Sequence, residues 1–598
     1  MLLTQNSKRC AVLAVTALYV AAFPGALRAS NAYVVRNLTS DVPDLADFTD
    51  PNLKGAWGIS ESGSSPFWIS DAGSGLSTLY TGTGGVISLV VTIPASKAAA
   101  SGTAGTPTGT VYNSTTGFAV ASGDPAAFIF DTLDGTISGW NKTANATEAQ
   151  VMVDNSATGA VYTGLAIGAS GANTYLYAAN LGNGTIDVFD SNYKPVTLPN
   201  AFQDTNLPTG YAPFNIQNLA GNLYVAYALV SKGFAEAGAG DGYVDVYSTS
   251  GTLMDRLISG GSQSKLNAPW GLAIAPTAFG DYASDLLVGN FGDGTINVFN
   301  PTTGAYVATL NDVYGTPIVV PGLWALQVGN GGSGGDANAI YFTAGIPGPD
   351  NGNHGLLGRL QAAPVVTATN VTNGASFQPA IAPNTWVTIT GGNLSATSRV
   401  WNGGDFSNGA LPTDIDSVSV SVNGTYAYVE YVSPTQLNVL LPVGLASGQA
   451  TLETYNFGLA SASVTVQVAD VAPAFFLQGD GKHVVATHAD GSIVGPTTIT
   501  GDSPAEPGET IVLYGTGFGV TNPAAPDGKL ITAALPLATL PTITMGGTSS
   551  QVAFAGLIYA GLFQINVTVP ASAASGDAPV VALVGSTASP GTALIAVQ

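Results

Sequence analysis

Four aspartates near the N-terminus recur at every third position and could bind a metal ion. Carboxylate oxygens are the ligands that Ca²⁺ prefers, and the ion takes about six to eight of them. The spacing differs from the alternate-residue pattern of a calcium-binding loop, and an acidic, capped connector explains it more simply. We therefore predict no cofactor, with Ca²⁺ as the alternative at Asp41, Asp44, Asp47 and Asp50.

Three tryptophans, Trp57, Trp270 and Trp324, occupy the same place in three short apolar segments, and Asn215 lies near the corresponding place in a fourth. If these segments line a central channel, the indole rings could form an apolar or sugar-stacking surface at one mouth of the channel. The alternative, which we favour, is that the rings pack between neighbouring repeats as hydrophobic core. These four residues are the predicted ligand-binding site.

Conventional catalytic groups are scarce. The chain has three histidines, His354, His483 and His488, and one cysteine, Cys10. A three-histidine zinc site or a serine triad needs more such groups than these turn-rich segments supply. We predict that the histidines are surface residues and that no residue is catalytic.

The elements that position the tryptophans follow from a phrase that recurs six times between about residues 70 and 360. A short apolar strand runs into a small or acidic residue, a glycine and a second apolar strand, as at Asp131–Gly135, Asn180–Gly184 and Asn290–Gly294. Gly readily adopts the positive φ of tight hairpins, and Asn and Asp tolerate it. Hairpins at this interval are typical of propeller blades, so the phrase predicts a six-bladed β-propeller rather than calcium sites.

The remaining blade strands can be placed around these hairpins. The inner strand of the second blade is predicted at Gly117–Val120, and the fourth strand of the third blade at Pro195–Leu198. No fourth strand follows Leu360, because the segment that ends in Pro364 breaks the pattern. Residues 33–38 have no blade of their own and are predicted to supply that strand, which removes an exposed sheet edge.

The composition is that of an exported all-β protein. Only 9% of the 598 residues are charged, 45% are hydrophobic and 76 are Gly, a balance that excludes disorder and fits sheets with many turns. Lys8 and Arg9 precede an apolar stretch, which predicts a signal peptide over residues 1–29 and a secreted, periplasmic or cell-surface location in a bacterium. No later apolar run could span a membrane. The net charge of −22 argues against nucleic acid as a partner.

Beyond residue 364 the pattern changes to short alternating strands with frequent turns. This pattern predicts two immunoglobulin-like β-sandwiches, over residues 366–469 and 471–598, behind a propeller over residues 32–361. The two halves echo each other: Trp386–Leu394 matches Thr510–Phe518, and Gln436–Pro442 matches Gln564–Pro570. Internal duplication explains the match.

Residues 32–361 resemble a family of uncharacterised secreted bacterial six-bladed propellers, related in shape to the NHL and TolB-like propellers. The resemblance rests on Trp57–Gly58, Asn267–Ala273, Leu287–Gly294 and Gly322–Leu326. It implies an exported propeller of unknown activity.

Residues 366–598 resemble the paired immunoglobulin-like modules, similar to IPT/TIG domains, of exported proteins from soil bacteria. This resemblance rests on Asn373–Phe377, Gln436–Asn438, Ala472–Phe475 and Gly515–Gly519. It implies a spacer or adhesive role for this part of the chain.

Non-catalytic binding or adhesion is the predicted function, with an unknown extracellular ligand that is a glycan or a protein. The enzyme alternative is a propeller lyase or lactonase that uses a divalent ion in the central channel. Lactonase-like propellers hold their metal with Glu and several Asn or Asp residues in this channel, and the predicted inner strands carry no such set. The sequence favours binding over catalysis and leaves both open.

Overall fold

The computed structural model describes residues 32–100, 102–347, 353–395 and 397–598, and the predicted signal peptide lies outside these ranges. The described chain is built from strands, with three short 3₁₀ turns at Ser156–Thr158, Gly280–Tyr282 and Gly403–Asp405, which confirms the all-β prediction. No helix in these ranges is long and apolar enough to cross a lipid bilayer. The chain divides into two compact units, one spanning Asn31–Ala362 and the other containing Ala363–Gln598.

The first unit starts with two N-terminal strands and three blades, whose strands run in order from the inner to the outer edge. The N-terminal strands are β1 (Tyr33–Ser40) and β2 (Phe48–Thr49). Blade 1 contains β3 (Ala56–Ser60), β4 (Phe67–Asp71), β5 (Leu76–Tyr80) and β6 (Val86–Thr92). Blade 2 contains β7 (Pro107–Tyr112), β8 (Phe128–Thr132), β9 (Thr136–Trp140) and β10 (Gln150–Asp154). Blade 3 contains β11 (Tyr162–Ser170), β12 (Asn173–Asn180) and β13 (Thr185–Phe189).

Three further blades complete the first unit. Blade 4 contains β14 (Tyr211–Leu219), β15 (Asn222–Ser231), a short added strand β16 (Phe234–Glu236) that pairs with β15, β17 (Tyr243–Tyr247) and β18 (Leu253–Ile258). Blade 5 contains β19 (Pro269–Ile274), β20 (Leu286–Asn290), β21 (Ile296–Phe299) and β22 (Tyr306–Thr309). Blade 6 contains β23 (Leu323–Val328), β24 (Ile340–Pro347) and β25 (Asn353–Ala362).

The first strand of the unit joins its last blade. Strand β1 lies antiparallel to β25, with Tyr33 opposite Ala362 and Ser40 opposite Leu356. The Tyr33 side chain is fully buried, and its hydroxyl donates a hydrogen bond of 2.9 Å to the Phe279 carbonyl. The described strands of this unit thus form six blade sheets, and the sixth contains strands from both ends of the unit. This agrees with the prediction of a six-bladed propeller.

Tight turns separate the second and third strands of most blades. The glycines in four of these turns, Gly75, Gly135, Gly184 and Gly294, have φ between 68° and 78°. This left-handed conformation costs glycine little and most other residues more, which explains why the repeated phrase keeps a glycine at this point. The Asp–Gly and Asn–Gly pairs are therefore turn residues.

The predicted inner strand of blade 2, at Gly117–Val120, is wrong. The inner strand is β7, where Thr and Gly residues weaken the apolar pattern. Phe118 and Val120 are apolar because they are buried in the core between blades 2 and 3 as loop residues.

The predicted fourth strand of blade 3, at Pro195–Leu198, is also wrong. Only a single bridge between Phe189 and Pro195 forms there, with the Val196 amide donating to the Val188 carbonyl at 2.8 Å. Pro195 and Pro199 lack the N–H groups that a continuing ladder would need.

The first half of the second unit has two sheets. Its strands are β26 (Val365–Asn373), β27 (Trp386–Gly392), β28 (Arg399–Val400), β29 (Val418–Val422), β30 (Thr425–Tyr426), β31 (Tyr428–Val432), β32 (Gln436–Leu440), β33 (Gly448–Asn456), β34 (Leu459–Ala460) and β35 (Val464–Val468). One sheet has the order β26-β27-β32-β31-β28, and the other has β30-β29-β33-β34 with β35 also on β33.

The second half again has two sheets. Its strands are β36 (Ala474–Phe475), β37 (Ala486–Thr487), β38 (Thr510–Thr516), β39 (Leu535–Pro536), β40 (Thr542–Met545), β41 (Thr548–Ser550), β42 (Val552–Tyr559), β43 (Leu562–Thr568), β44 (Gly576–Val584), β45 (Thr587–Ala588) and β46 (Leu594–Val597). One sheet has the order β36-β38-β43-β42-β39 with β37 also on β38, and the other has β41-β40-β44-β45 with β46 also on β44.

Each half encloses its own apolar core, and the two halves share a third. The segments that echo each other in sequence form neighbouring strands in both halves, β27 with β32 and β38 with β43. Trp386 lies at the centre of the shared core, and its indole N–H donates to the Ala560 carbonyl at 3.0 Å. The immunoglobulin-like assignment of the two halves stays a prediction.

Candidate functional site

Each of the six inner strands of the propeller carries an irregularity in its pairing near its start. The interrupted stretch always contains one residue of an equivalent set, whose members are Trp57, Thr108, Thr163, Phe214, Trp270 and Trp324. A β-bulge turns its residue out of the regular alternation of the strand. Six bulges at equivalent places therefore turn one side chain of each inner strand out of the regular alternation.

The residue that follows this set is glycine in four blades: Gly58, Gly109, Gly164 and Gly271. A Cβ atom on Gly271 would lie 2.6 Å from the Trp324 carbonyl oxygen, and one on Gly58 would overlap the Thr108 carbonyl oxygen. These glycines let the inner strands approach each other closely enough for the large rings to meet.

The three tryptophans form one cluster. The rings of Trp57 and Trp324 are stacked with centroids 3.5 Å apart, and Trp270 meets both edge-on at 6.5 and 6.0 Å. Phe214 packs edge-on against Trp324 at 5.8 Å. The Trp270 indole N–H reaches from blade 5 to blade 3 and donates to the Thr163 carbonyl at 2.9 Å. We call Trp57, Phe214, Trp270 and Trp324 the aromatic plug, since they fill the centre of the ring.

Asn215, the fourth residue of the predicted site, connects two inner strands. Its side-chain amide donates to the Trp270 carbonyl at 2.7 Å, and its side-chain oxygen accepts from the Ile216 amide at 2.8 Å. Phe214, one residue earlier, is the member of the equivalent set. Asn215 therefore lies one residue after the equivalent position, near the place predicted for it from the sequence.

A cavity of about 310 Å³ is lined by residues from all six inner strands, on the side of the plug where these strands end. Its polar lining residues are Ser60, Glu61, Thr110, Tyr112, Asn215, Gln217, Asn218 and Gln327, and Trp270 contributes to its wall. None of the described residues that line it is Lys, Arg or His. The cavity is thus rich in amides and hydroxyls and contains one carboxyl group.

Some of these polar groups bond across blades, and others are free. The Ser60 and Thr110 hydroxyls lie 3.0 Å apart, and the Asn218 side chain donates to the Ile167 carbonyl at 2.9 Å. Gln217 is half-buried. Its side-chain amide makes no hydrogen bond within the described part of the chain, and the Tyr112 hydroxyl makes none either, so both can serve a ligand.

Glu61 follows directly after the inner strand of blade 1. Its Oε1 atom lies 3.4 Å from Nε2 of Gln327, and its Oε2 atom is buried without a hydrogen-bond partner among the described residues. Burial raises the pKa of Glu61 to about 8. Glu61 is not among the residues predicted from the sequence, because it lies in a polar turn. Its position at the end of an inner strand was the available signal.

The four aspartates of the possible calcium site do not share a centre. Asp41 lies 2.7 Å from Nδ1 of His354, and the carboxylate of Asp47 pairs with Arg36 at 2.7 Å. Asp50 accepts from the Tyr80 hydroxyl at 2.9 Å, and Asp44 lies exposed in the connector with a φ of 63°. Within the described ranges no group of three or more His, Cys, Asp or Glu side chains is placed to hold a metal.

The structure brings Ser503, His488 and Glu509 together in the order of a serine triad, which the sequence analysis did not expect. Nε2 of His488 lies 3.0 Å from the Ser503 hydroxyl, and Nδ1 lies 2.6 Å from Oε1 of Glu509. Nε2 also lies 3.1 Å from the Ser503 carbonyl oxygen. Burial lowers the pKa of His488, but its bonds to Glu509 and to that carbonyl raise it more. A carbonyl oxygen at this distance from Nε2 is satisfied when that atom carries a proton, and an Nε2–H group cannot accept the serine proton. We interpret the three residues as a polar link between loops and call them the His488 strap.

The prediction of surface histidines is wrong for His483, which is only 5% exposed because two carboxylates hold its ring between loops. Its Nδ1 atom bonds to Asp480, and its Nε2 atom lies 3.1 Å from Asp577. His354 faces Asp41, so all three histidines have carboxylate partners. They act as links between loops, and none of them lies at the cavity.

The fold and the cavity define a six-bladed β-propeller with a polar pocket at its centre. An uncharacterized protein of Acanthamoeba polyphaga mimivirus is 32% identical over 347 residues, which cover 56% of this chain and 82% of the viral protein. A second uncharacterized protein of that virus is 30% identical over 347 residues, covering 56% and 87%. The chain belongs to the same family as these two proteins. No protein-family model matches it.

Solved structures with a similar fold are more distant. A streptogramin B lyase is 10% identical with a TM-score of 0.33, covering 55% of this chain and 97% of that one. The PQQ-bound aldose sugar dehydrogenase of Streptomyces coelicolor is 11% identical with a TM-score of 0.34, covering 56% and 99%. At these values the likenesses say nothing about the activity of this protein.

Proposed function

We propose that this protein is an exported, non-catalytic binding protein that holds a small polar ligand, such as a sugar unit, in the central cavity of its propeller. The observation that carries the proposal is the convergence of amide and hydroxyl side chains from the inner strands on this cavity. Its volume of about 310 Å³ lies at the lower end of the range of roughly 300–1,000 Å³ for small-molecule sites.

The chemistry of the lining matches a polyhydroxylated ligand. A side-chain amide presents both donors and an acceptor, as does a hydroxyl, so Gln217 and Tyr112 can satisfy sugar hydroxyls that donate and accept. An anionic ligand would find no cation among the described lining residues and would be repelled by the net charge of −22.

A divalent-metal lyase or lactonase is not supported by this cavity. A hard cation takes about six to eight oxygen ligands, several of them carboxylates, whereas the described lining supplies one carboxylate, from Glu61. The side-chain oxygens of Asn215 and Asn218, the lining asparagines, already accept hydrogen bonds from the Ile216 and Gly221 amides. These residues do not fit a metal centre, and we derive no reaction step through one.

The second unit and the N-terminal segment complete the proposal. The two sandwich halves, which resemble bacterial immunoglobulin-like modules, serve as a spacer or a second contact, and residues 1–29 direct export. The predicted signal peptide supports an extracytoplasmic location, and a bacterial source is part of the proposal. Detection of the tagged protein in the cytosolic fraction with an uncleaved N-terminus would contradict this part.

The test of ligand binding uses the mature full chain on a glycan array, followed by calorimetry with the sugars that bind. Gln217→Ala removes a lining amide that has no internal partner, so we expect sugar affinity to fall about 3- to 10-fold, the effect of one hydrogen bond, with an unchanged melting temperature. Gln449→Ala, an exposed amide of the second unit, is the matched control. An array without hits, or equal affinity of both variants, would overturn the proposal.

A further inference from the structure

We infer that the central cavity selects ligands that carry a protonated amine, an amino sugar above all, and that the ammonium group binds against Glu61. This inference rests on the proposed function and names the ligand class that the same cavity prefers. It starts from the one lining group that is not neutral by chemistry.

Glu61 lacks a counter-charge. Its side-chain partner is Gln327, a neutral amide, at the long distance of 3.4 Å, and Glu61 forms no ion pair with a described Lys, Arg or His. The loop between β23 and β24 covers the other carboxyl oxygen, because a Cβ atom on Gly334 would overlap Oε2. The carboxyl group is therefore held in place at the cavity wall, and no described cation is available to pair with its ionised form.

The other blades add no second carboxylate and no described Lys, Arg or His to the lining that Glu61 shares. Blade 2 contributes Thr110 and Tyr112, blade 4 contributes Gln217 and Asn218, and blade 6 contributes Gln327. Tyr112 is the other titratable side chain among the described residues that line the cavity. A neutral amide or hydroxyl solvates a carboxylate only in part, so the site favours either a bound proton or a bound cation at Glu61.

An ammonium group supplies what is missing. It carries three donors and a full positive charge, and its hydrogen bond to a carboxylate is stronger and shorter than one between neutral groups. The raised pKa of about 8 means that the empty cavity keeps Glu61 protonated at neutral pH, so binding of the ammonium group releases that proton. The strongly acidic chain, with 37 Asp and Glu against 15 Lys and Arg, also attracts cations.

Hydroxyl groups distinguish an amino sugar from a simple amine. The free Gln217 amide and the Tyr112 hydroxyl lie in the same cavity as Glu61, so a ring that carries both an amine and hydroxyls can use all three. A small alkylamine would share only the Glu61 contact. The cavity should therefore rank an amino sugar above its neutral analogue and above an alkylamine.

The experiment is calorimetry on the mature full chain with glucosamine, N-acetylglucosamine, glucose and ethylamine between pH 5.5 and 6.5. We expect glucosamine to bind at least tenfold more tightly than N-acetylglucosamine or glucose. Its affinity should rise by up to about tenfold per pH unit, the limit for release of one proton. Titration in two buffers of different ionisation enthalpy should show about one proton released.

Glu61→Gln keeps the shape of the side chain and removes its charge, so it should abolish the preference for glucosamine, the pH dependence and the proton release. Glu148→Gln removes the same charge from an exposed position and should leave all three unchanged. Equal binding of glucose and glucosamine to the wild type and to Glu61→Gln would overturn the inference and leave sugar binding intact. Binding of ethylamine alone, lost in Glu61→Gln, would support the amine contact and contradict sugar binding. No binding by any of the four compounds would overturn both.

Discussion

The two units of this protein each bury a glutamate that has no counter-charge, with different consequences. Glu61 lines the propeller cavity, whereas Glu430 on β31 is fully buried in the second unit, and neither of its carboxyl oxygens has a hydrogen-bond partner among the described residues. Burial raises the pKa of each to about 8. A ligand can reach Glu61, but no ligand can reach Glu430. The same perturbation thus affects a group within reach of a ligand in one unit and is only a cost in stability in the other.

The difference follows from how each unit fills its centre. Six inner strands in a ring leave a space at the axis, which the aromatic plug closes on one side and which stays open as a cavity on the other. The two halves of the second unit pack on a shared core, where Trp386 fills the space and its indole N–H bonds to the opposite half. In the propeller, the aromatic plug forms one end of a pocket. In the second unit, Trp386 fills the space between the two halves, so that no such pocket forms around it among the described residues.

The largest effect that tests this comparison is expected from Trp386→Ala. Removing a buried tryptophan from a core costs about 3–5 kcal/mol, so the unfolding transition of the second unit should move sharply to lower denaturant while that of the propeller stays in place. Chemical denaturation measures the two transitions, with hydrogen exchange used to monitor the unfolding of each unit separately. Tyr426→Ala, at a half-exposed aromatic of the same unit, is the control and should shift the transition far less. Equal losses in both variants would show that the shared core does not stabilise this unit.

The next effect is the pH dependence caused by Glu430. Its pKa is raised from 4.5 to about 8 in the folded chain, so the folded state holds a proton that the unfolded state releases. Stability from this group therefore falls as the pH rises from about 4.5 to 8, by about 1.4 kcal/mol per pH unit. Between pH 5 and 7.5 the wild-type second unit should lose roughly 3 kcal/mol that Glu430→Gln retains.

Denaturation curves at four pH values measure this slope, with Glu506→Gln, an exposed carboxylate of the same unit, as the control. The same series on Glu61→Gln should also reduce the loss of propeller stability with rising pH. The reduction should be smaller than for Glu430→Gln, because Glu61 is less buried. A wild-type slope that persists in Glu430→Gln would assign the titration to other groups.

The blades could be predicted from short stretches of sequence, whereas the candidate site depends on contacts between residues far apart in the chain. The hairpin glycines, such as Gly75 and Gly135, are set by turn geometry that a few neighbouring residues determine, so the repeat count came out correctly. Strand β7 was missed because its apolar pattern is weak and the loop after it contains the buried Phe118. Glu61 could not be singled out, since the groups that isolate it lie about 270 positions later in the chain, in Gln327 and Gly334.

The smallest predicted effect separates the strap at His488 from a catalytic triad. His488 has a raised folded pKa, so its bonds to Glu509 and Ser503 stabilise the second unit fully below pH 6.5, and this contribution disappears as the pH rises through the folded pKa. His488→Gln should therefore cost about 1 kcal/mol at pH 6 and less at pH 9. Ser503→Ala should cost less than His488→Gln at pH 6, since the carbonyl and Glu509 still hold the ring. Denaturation at both pH values gives these differences, and incubation with a fluorophosphonate probe should leave Ser503 unlabelled. Labelling that depends on His488 would mean that the ring is neutral and activates the serine. The reactive centre of the chain would then lie in the second unit and not in the propeller.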